Sequence, residues 1–168
     1  KNTSVDANVY LQIEPIKNLK FKTVFAVNYG GSNYRSFSPI YKFTPQSGNG
    51  VTSVNQSHGN GTSLVWTNTL TYDFDIKSHH ISALIGSETS KYDGSSTGSY
   101  GLNLTAGFDD LEHAYVANTE MSNENRKISG GPYDSTRGQS FFARMGWSWK
   151  DRYMVNATMR ADGSSKFA

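Results

Sequence analysis

Residues 141–149, FFARMGWSW, and 153–162, YMVNATMRAD, decide how this chain folds. Phe141, Ala143, Met145, Trp147 and Trp149 share one parity, against Phe142, Arg144, Gly146 and Ser148. After Lys150-Asp151-Arg152 the chain returns with Tyr153, Val155, Ala157, Met159 and Ala161 on one parity. Met154, Asn156, Thr158, Arg160 and Asp162 take the other. Side chains of a strand alternate between faces, so this pattern predicts a hairpin with one apolar and one wet face. The wet face carries Arg144, Arg160 and Asp162, and the strand breaks into Gly163-Ser164-Ser165-Lys166-Phe167.

The same period runs back through the chain. Val5, Ala7, Val9, Leu11 and Ile13 alternate with polar residues and Tyr10, and Pro15-Ile16-Lys17-Asn18 reads as a short turn. Phe21, Thr23, Phe25, Val27 and Tyr29 form the next stripe, with Lys22 opposite. Leu64, Trp66, Leu70, Tyr72, Phe74 and Ile76 form another, with Asp73 and Asp75 opposite, and Ile81, Ala83 and Ile85 follow a Lys77-Ser78-His79 turn. Residues 44–62 and 91–138 are rich in Gly, Ser, Asn and Thr and read as long loops. Within the second, Leu111 to Met121 suits a short helix or a strand-like arm. The expected organisation is about six strands in three hairpins, joined by short turns at one end and long loops at the other.

Composition fits that picture. The 168 residues are 36% apolar and 13% aromatic, with ten Tyr, nine Phe and sixteen Gly, which is lean for a compact α/β core and too aromatic for disorder. Sixteen Lys and Arg against 14 Asp and Glu leave a formal charge of +2, scattered along the chain, so nothing points to nucleic acid. There is no cysteine, hence no disulfide framework or thiolate metal site. No run approaches the ~20 apolar residues of a membrane helix, yet strands of ~10 residues cross a bilayer when tilted. Alternating strands, short turns opposite long loops, and aromatics near both ends make a transmembrane barrel pattern. Six strands are too few to close around a wet lumen, so the expectation is an arc of a larger barrel. Starting at Lys1 in mid-pattern and stopping just after a strand, the chain reads as a piece of a longer protein.

Catalytic and metal chemistry find little purchase. His79 and His80 are adjacent and should face opposite ways, while His58 and His113 lie in separate loops, with no zinc-binding spacing. Asp109, Asp110 and Glu112 read as solvated loop charge, and the Ser-rich and Gly-rich stretches lack nucleophile-elbow or phosphate-loop context. The N-x-Ser/Thr patterns at Asn2, Asn55, Asn60, Asn103 and Asn156 fit chance in a chain so rich in these residues. The expectation is no catalytic, cofactor-binding or metal-binding residue. The candidate functional residues are the charges of the wet face, Arg144, Arg160, Asp162, Asp73 and Asp75, directed toward a lumen because a charge facing lipid at mid-depth costs ~2–4 kcal/mol.

The C-terminal stretch also resembles a known family. Phe141-Phe142-Ala143-Arg144, Trp147-Ser148-Trp149-Lys150-Asp151-Arg152-Tyr153, Thr158-Met159-Arg160 and Asp162-Gly163-Ser164-Ser165-Lys166-Phe167 are similar to barrel strands of SusC/RagA-type TonB-dependent outer-membrane transporters of Bacteroidetes. Ala161 and Lys166 depart slightly from the family's pattern. The resemblance implies an all-β fold, with antiparallel strands forming an arc of a large transmembrane outer-membrane barrel. It implies import of oligosaccharides or peptides, a capping SusD-type surface lipoprotein, and energy from TonB-ExbB-ExbD through an N-terminal plug domain that this chain does not contain. It implies no cofactor and no enzymatic activity. A soluble or surface-attached β-sandwich that binds carbohydrate, with Tyr92, Tyr100 or Tyr115 stacking on sugar, is the competing expectation.

Overall fold

The computed structural model describes residues 1–166 apart from Asp109, Met121, Asn123 and Asp151. The decisive hairpin is present as β8 (Thr136–Trp149) and β9 (Tyr153–Ser164). They pair antiparallel from Gly138 opposite Ser164 to Trp149 opposite Tyr153. Before them come β1 (Asn2–Ile16), β2 (Leu19–Ser38), β3 (Tyr41–Thr44), β4 (Ser47–Asn49), β5 (Ser53–Ile76), β6 (His79–Leu102) and β7 (Arg126–Pro132). A seven-stranded sheet runs in the order β1-β2-β5-β6-β8-β9, with β7 also paired to β6, and β3 and β4 form a separate two-stranded sheet. The turns after β1, β5 and β8 are short, and each holds a non-glycine residue at positive φ: Asn18 (68°), Lys77 (55°) and Lys150 (49°).

Much of the two expected loops is strand. β5 begins at Ser53 and β6 continues to Leu102, with β7 and the start of β8 inside the second stretch. These segments are mostly Ser, Thr, Asn and Gly, with isolated apolar residues such as Val54, Tyr100 and Ile128, so no apolar stripe marks them; ladder hydrogen bonds hold much of them. In the stretch from Leu111, a 3-10 helix covers Val116–Asn118; Met121 lies outside the described residues.

The chain divides into two units. One comprises Val5–Tyr29, Thr62–Asp93 and Ser135–Ala168. Register sets its two faces, because residues opposite one another in an antiparallel pair project to the same side. Ile85, Ala143 and Met159 lie in one row, and Ile81, Trp147 and Val155 in another. The other face stacks Leu84, Arg144 and Thr158, then Glu88, Ser140 and Asp162. The apolar face is bare: Val9 is 66% exposed, Ile85 58% and Met159 75%, and no apolar residue of this unit is buried among the described residues. Two of the three indole N–H groups on this face have partners among the described residues. Trp66 donates to Thr23 Oγ1 at 2.8 Å and Trp147 to His79 Nδ1 at 3.1 Å.

The second unit comprises Lys1–Ser4, Gly30–Gly61 and Gly94–Asp134. It holds the buried apolar residues, Val54 and Ala114, together with buried Thr52 and Thr119. Thr52 Oγ1 accepts from the Leu104 N–H at 2.7 Å, and Gln56 Oε1 from Val116 N–H at 2.8 Å. Arg126 acts as a clamp on the 3-10 turn. Its Nε donates to Thr119 Oγ1 at 3.0 Å and its Nη2 to the carbonyls of Ala117, at 2.9 Å, and Thr119. Charge-assisted bonds to carbonyls are stronger than neutral ones. Arg126→Met should therefore lower the local stability of residues 116–126 by about 1–2 kcal/mol. Faster amide exchange there, with exchange in β8 and β9 unchanged, is the expected readout.

Candidate functional site

The wet face of the hairpin unit carries one connected polar cluster. Arg160 sits in β9 opposite Phe142 of β8, which is opposite Gly86 of β6. The glycine leaves room for the phenyl ring: a Cβ at Gly86 would lie 2.3 Å from Phe142 Cε2. The Arg160 guanidinium lies over that ring, 5.7 Å from its centre. Its Nε donates to Asp162 Oδ1 at 2.8 Å, and its Nη2 to Glu88 Oε1 at 3.2 Å and Ser140 Oγ at 3.1 Å. Ser140, only 8% exposed, donates in turn to Asp162 Oδ1 at 2.5 Å, and Thr67 Oγ1 donates to Glu88 Oε2 at 3.3 Å. One cation is thus shared by two carboxylates across four strands, β5, β6, β8 and β9. This is a fixed, hydrogen-bonded polar surface with a net negative charge, suited to holding water or a polar partner.

Of the five candidate charges, the structure brings Arg160 and Asp162 together. Asp75 lies elsewhere on the same face, paired with His80 Nδ1 at 2.7 Å beside the short turn after β5. Asp73 shares its parity, and its backbone N–H donates to Asn18 O at 3.2 Å. Arg144 stands opposite Leu84 and Thr158 and has no ion pair with another described residue. Glu88, Ser140 and Thr67 carry no motif that marks them in the sequence. Glu88 lies 72 residues from Arg160, and only strand order brings them together.

These groups are partly exposed, so screening keeps their coupling small. A double-mutant cycle on Glu88→Gln and Arg160→Met should give a small favourable coupling at low salt that falls as salt rises.

The histidines divide as their adjacency implies. His79 stacks on Trp147 and Trp149 on the apolar face, with ring centres 5.7 and 6.2 Å apart, while His80 meets Asp75 on the wet one. In the loop unit His113 meets Asp110: the His113 ring first, then its backbone N–H, hold that carboxyl below its ordinary value. The contact is complete above the ordinary carboxylate range and weakens as pH falls through the lowered value. Asp109 of the acidic stretch lies outside the described residues, as do Asp151 of the last turn and Phe167 of the terminal motif. Among the described residues no three His, Asp or Glu gather to hold a metal ion. No helix among them is long and apolar enough to cross a membrane, a fact that leaves crossing by strands untouched.

Comparison with known proteins places this architecture. No family model matches the chain. The TonB-dependent receptor P26 of Formosa agariphila is 27% identical over 168 residues, covering 95% of this chain and 16% of that protein. The structure of the RagAB peptide transporter superposes with a TM-score of 0.82 at 23% identity, covering 99% of this chain and 18% of the other. The RagAB peptide importer in its 'closed-closed' state gives 0.80 at 22% identity, with the same coverage. The chain therefore has the fold of a segment of a RagAB chain and spans less than a fifth of these relatives.

Proposed function

We propose that the chain is a wall segment of a TonB-dependent outer-membrane transporter that imports oligosaccharides or peptides. The observation that carries this reading is the bare apolar face of the hairpin unit. Large exposed apolar patches mark surfaces that meet a partner or a membrane. β9 has 12 residues, about 40 Å at ~3.3 Å per residue, which spans a ~30 Å hydrocarbon layer at a tilt near 45°. The bonded indoles of Trp66 and Trp147 suit an apolar solvent, where an unpaired donor is costly. The RagAB fold and the likeness to receptor P26 support the same reading.

In this reading the wall does no chemistry. Arg144, Arg160, Asp162, Asp73 and Asp75 face a wet interior and seat a plug domain outside this chain. TonB-ExbB-ExbD would move that plug, and a SusD-type lipoprotein would cap the entrance. The piece alone would transport nothing.

A soluble or surface-attached β-sandwich that binds carbohydrate is the second reading. The open sheet favours it: the strand order ends at β1 and β9, and open edges suit water better than hydrocarbon. Refolding the chain in plain buffer and in detergent micelles tests the two. The wall reading expects cooperative unfolding only with detergent. A cooperative transition of a monomer in buffer would overturn it in favour of the sandwich.

A further inference from the structure

The loop unit contains a cleft of about 370 Å³ that neither reading of the sheet uses. Arg35 of β2 lies along it, its guanidinium stacked 4.1 Å from the centre of the Tyr115 ring. Its only hydrogen bond to a described residue is a long one, from Nη1 to the Glu112 carbonyl at 3.4 Å. Two amides are turned so that their donors remain unused among the described residues. Gln56 Oε1 accepts from Val116 N–H, which leaves its Nε2 to donate. Asn33 Oδ1 faces His58 Nδ1 at 2.7 Å, which leaves Asn33 Nδ2 to donate and puts the His58 proton on Nδ1. Among the described residues lining the cleft there is no Asp or Glu. A guanidinium stacked on an aromatic ring, with two amide donors unused among the described residues and no carboxylate in the described lining, is complementary to an oxyanion.

The rest of the lining selects among oxyanions. Ser57, Thr97 and Ser99 bring hydroxyls, Tyr34 brings an exposed ring, and no aliphatic side chain among the described lining residues is there to receive an apolar peptide residue. Hydroxyl and amide partners with a flat aromatic wall match the rim and face of a sugar ring.

We propose that this cleft binds the carboxylate of an acidic sugar, with Arg35, Gln56 Nε2 and Asn33 Nδ2 as its donors. The site lies within one unit and stands under either reading of the sheet. Calorimetric titration of the full chain in detergent with trigalacturonate, its methyl ester and triaspartate tests it. The acid should bind at least roughly tenfold more tightly than the ester, the worth of one charge-assisted bond pair. Arg35→Met, which keeps an apolar side chain over Tyr115, should weaken the acid by a similar factor. Gln56→Glu keeps an acceptor for Val116 N–H but adds a negative charge, and should abolish binding with amide exchange at Val116 unchanged. Equal affinity for acid and ester, no binding of either, or parent-like affinity in Arg35→Met or Gln56→Glu would overturn the proposal. Triaspartate binding as tightly as trigalacturonate would overturn the assignment to sugar.

Discussion

Met159→Arg is expected to prevent stable insertion of this chain into lipid while leaving its synthesis intact. Met159 stands mid-way along β9, opposite Ala143 on the apolar face, and is 75% exposed. An arginine on the lipid face at mid-depth costs about 2–4 kcal/mol, a large share of a typical folding free energy of ~5–15 kcal/mol. Thr158→Glu is the matched control. It adds a charge one residue away, on the wet face, directly opposite Arg144. It should insert as well as the parent or slightly better. Yield of folded protein in liposomes, measured across a urea series, reads both. In the sandwich reading the outcome depends on whether Met159 is covered. An uncovered surface position shifts stability by less than about 0.5 kcal/mol, and Met159→Arg would then match Thr158→Glu. Equal insertion of the two variants would sink the orientation of Met159 toward lipid and Thr158 toward water.

That contrast draws on what the sequence makes legible. In residues 141–161 the alternation is regular apart from Phe142 and Met154 on the wet parity, so parity assigns Met159 and Thr158 to opposite faces, and the register agrees. The apolar stripe carries that information because it must meet an apolar surrounding. Where the surrounding is water on both sides, no stripe is needed. Ser53–Gly61 and Gly94–Leu102 are strands made mostly of polar residues and glycine, with Val54, Tyr100 and Leu102 too isolated to form a stripe, so they look like loop. The candidate site is legible only in part for a related reason. Arg160 and Asp162 are two apart on one strand and so share a face by parity. Glu88 and Ser140 join them through strand order, which periodicity does not encode. The Arg35 cleft is less visible still, since Asn33, Gln56 and Tyr115 come from three segments and are marked by no motif.

The polar strands make up in backbone geometry what they lack in apolar packing, which is why Gly130→Ala should be the most damaging small substitution in the loop unit. Gly130 lies in β7 opposite Thr97 and adopts φ +131°, a conformation that side chains rarely tolerate. A Cβ there would sit 2.2 Å from Ser96 O and 2.7 Å from Thr97 Cα, both backbone atoms of β6. A flexible side chain can move aside, but a ladder strand moves only by losing its hydrogen bonds. Backbone strain of this kind costs about 1–3 kcal/mol, and displacement of the ladder adds to it. β7 pairs with β6 through seven residues, from Pro132 to Arg126. Losing that register would also pull Arg126 from the carbonyls of Ala117 and Thr119. The adjacent Gly131→Ala isolates the cause, because its Cβ would meet nothing within 4 Å. Amide exchange across residues 126–132 should rise at least roughly thirtyfold in Gly130→Ala, the equivalent of ~2 kcal/mol, and stay near the parent value in Gly131→Ala. Similar exchange in both variants would mean that β7 is held by something other than its fit against β6.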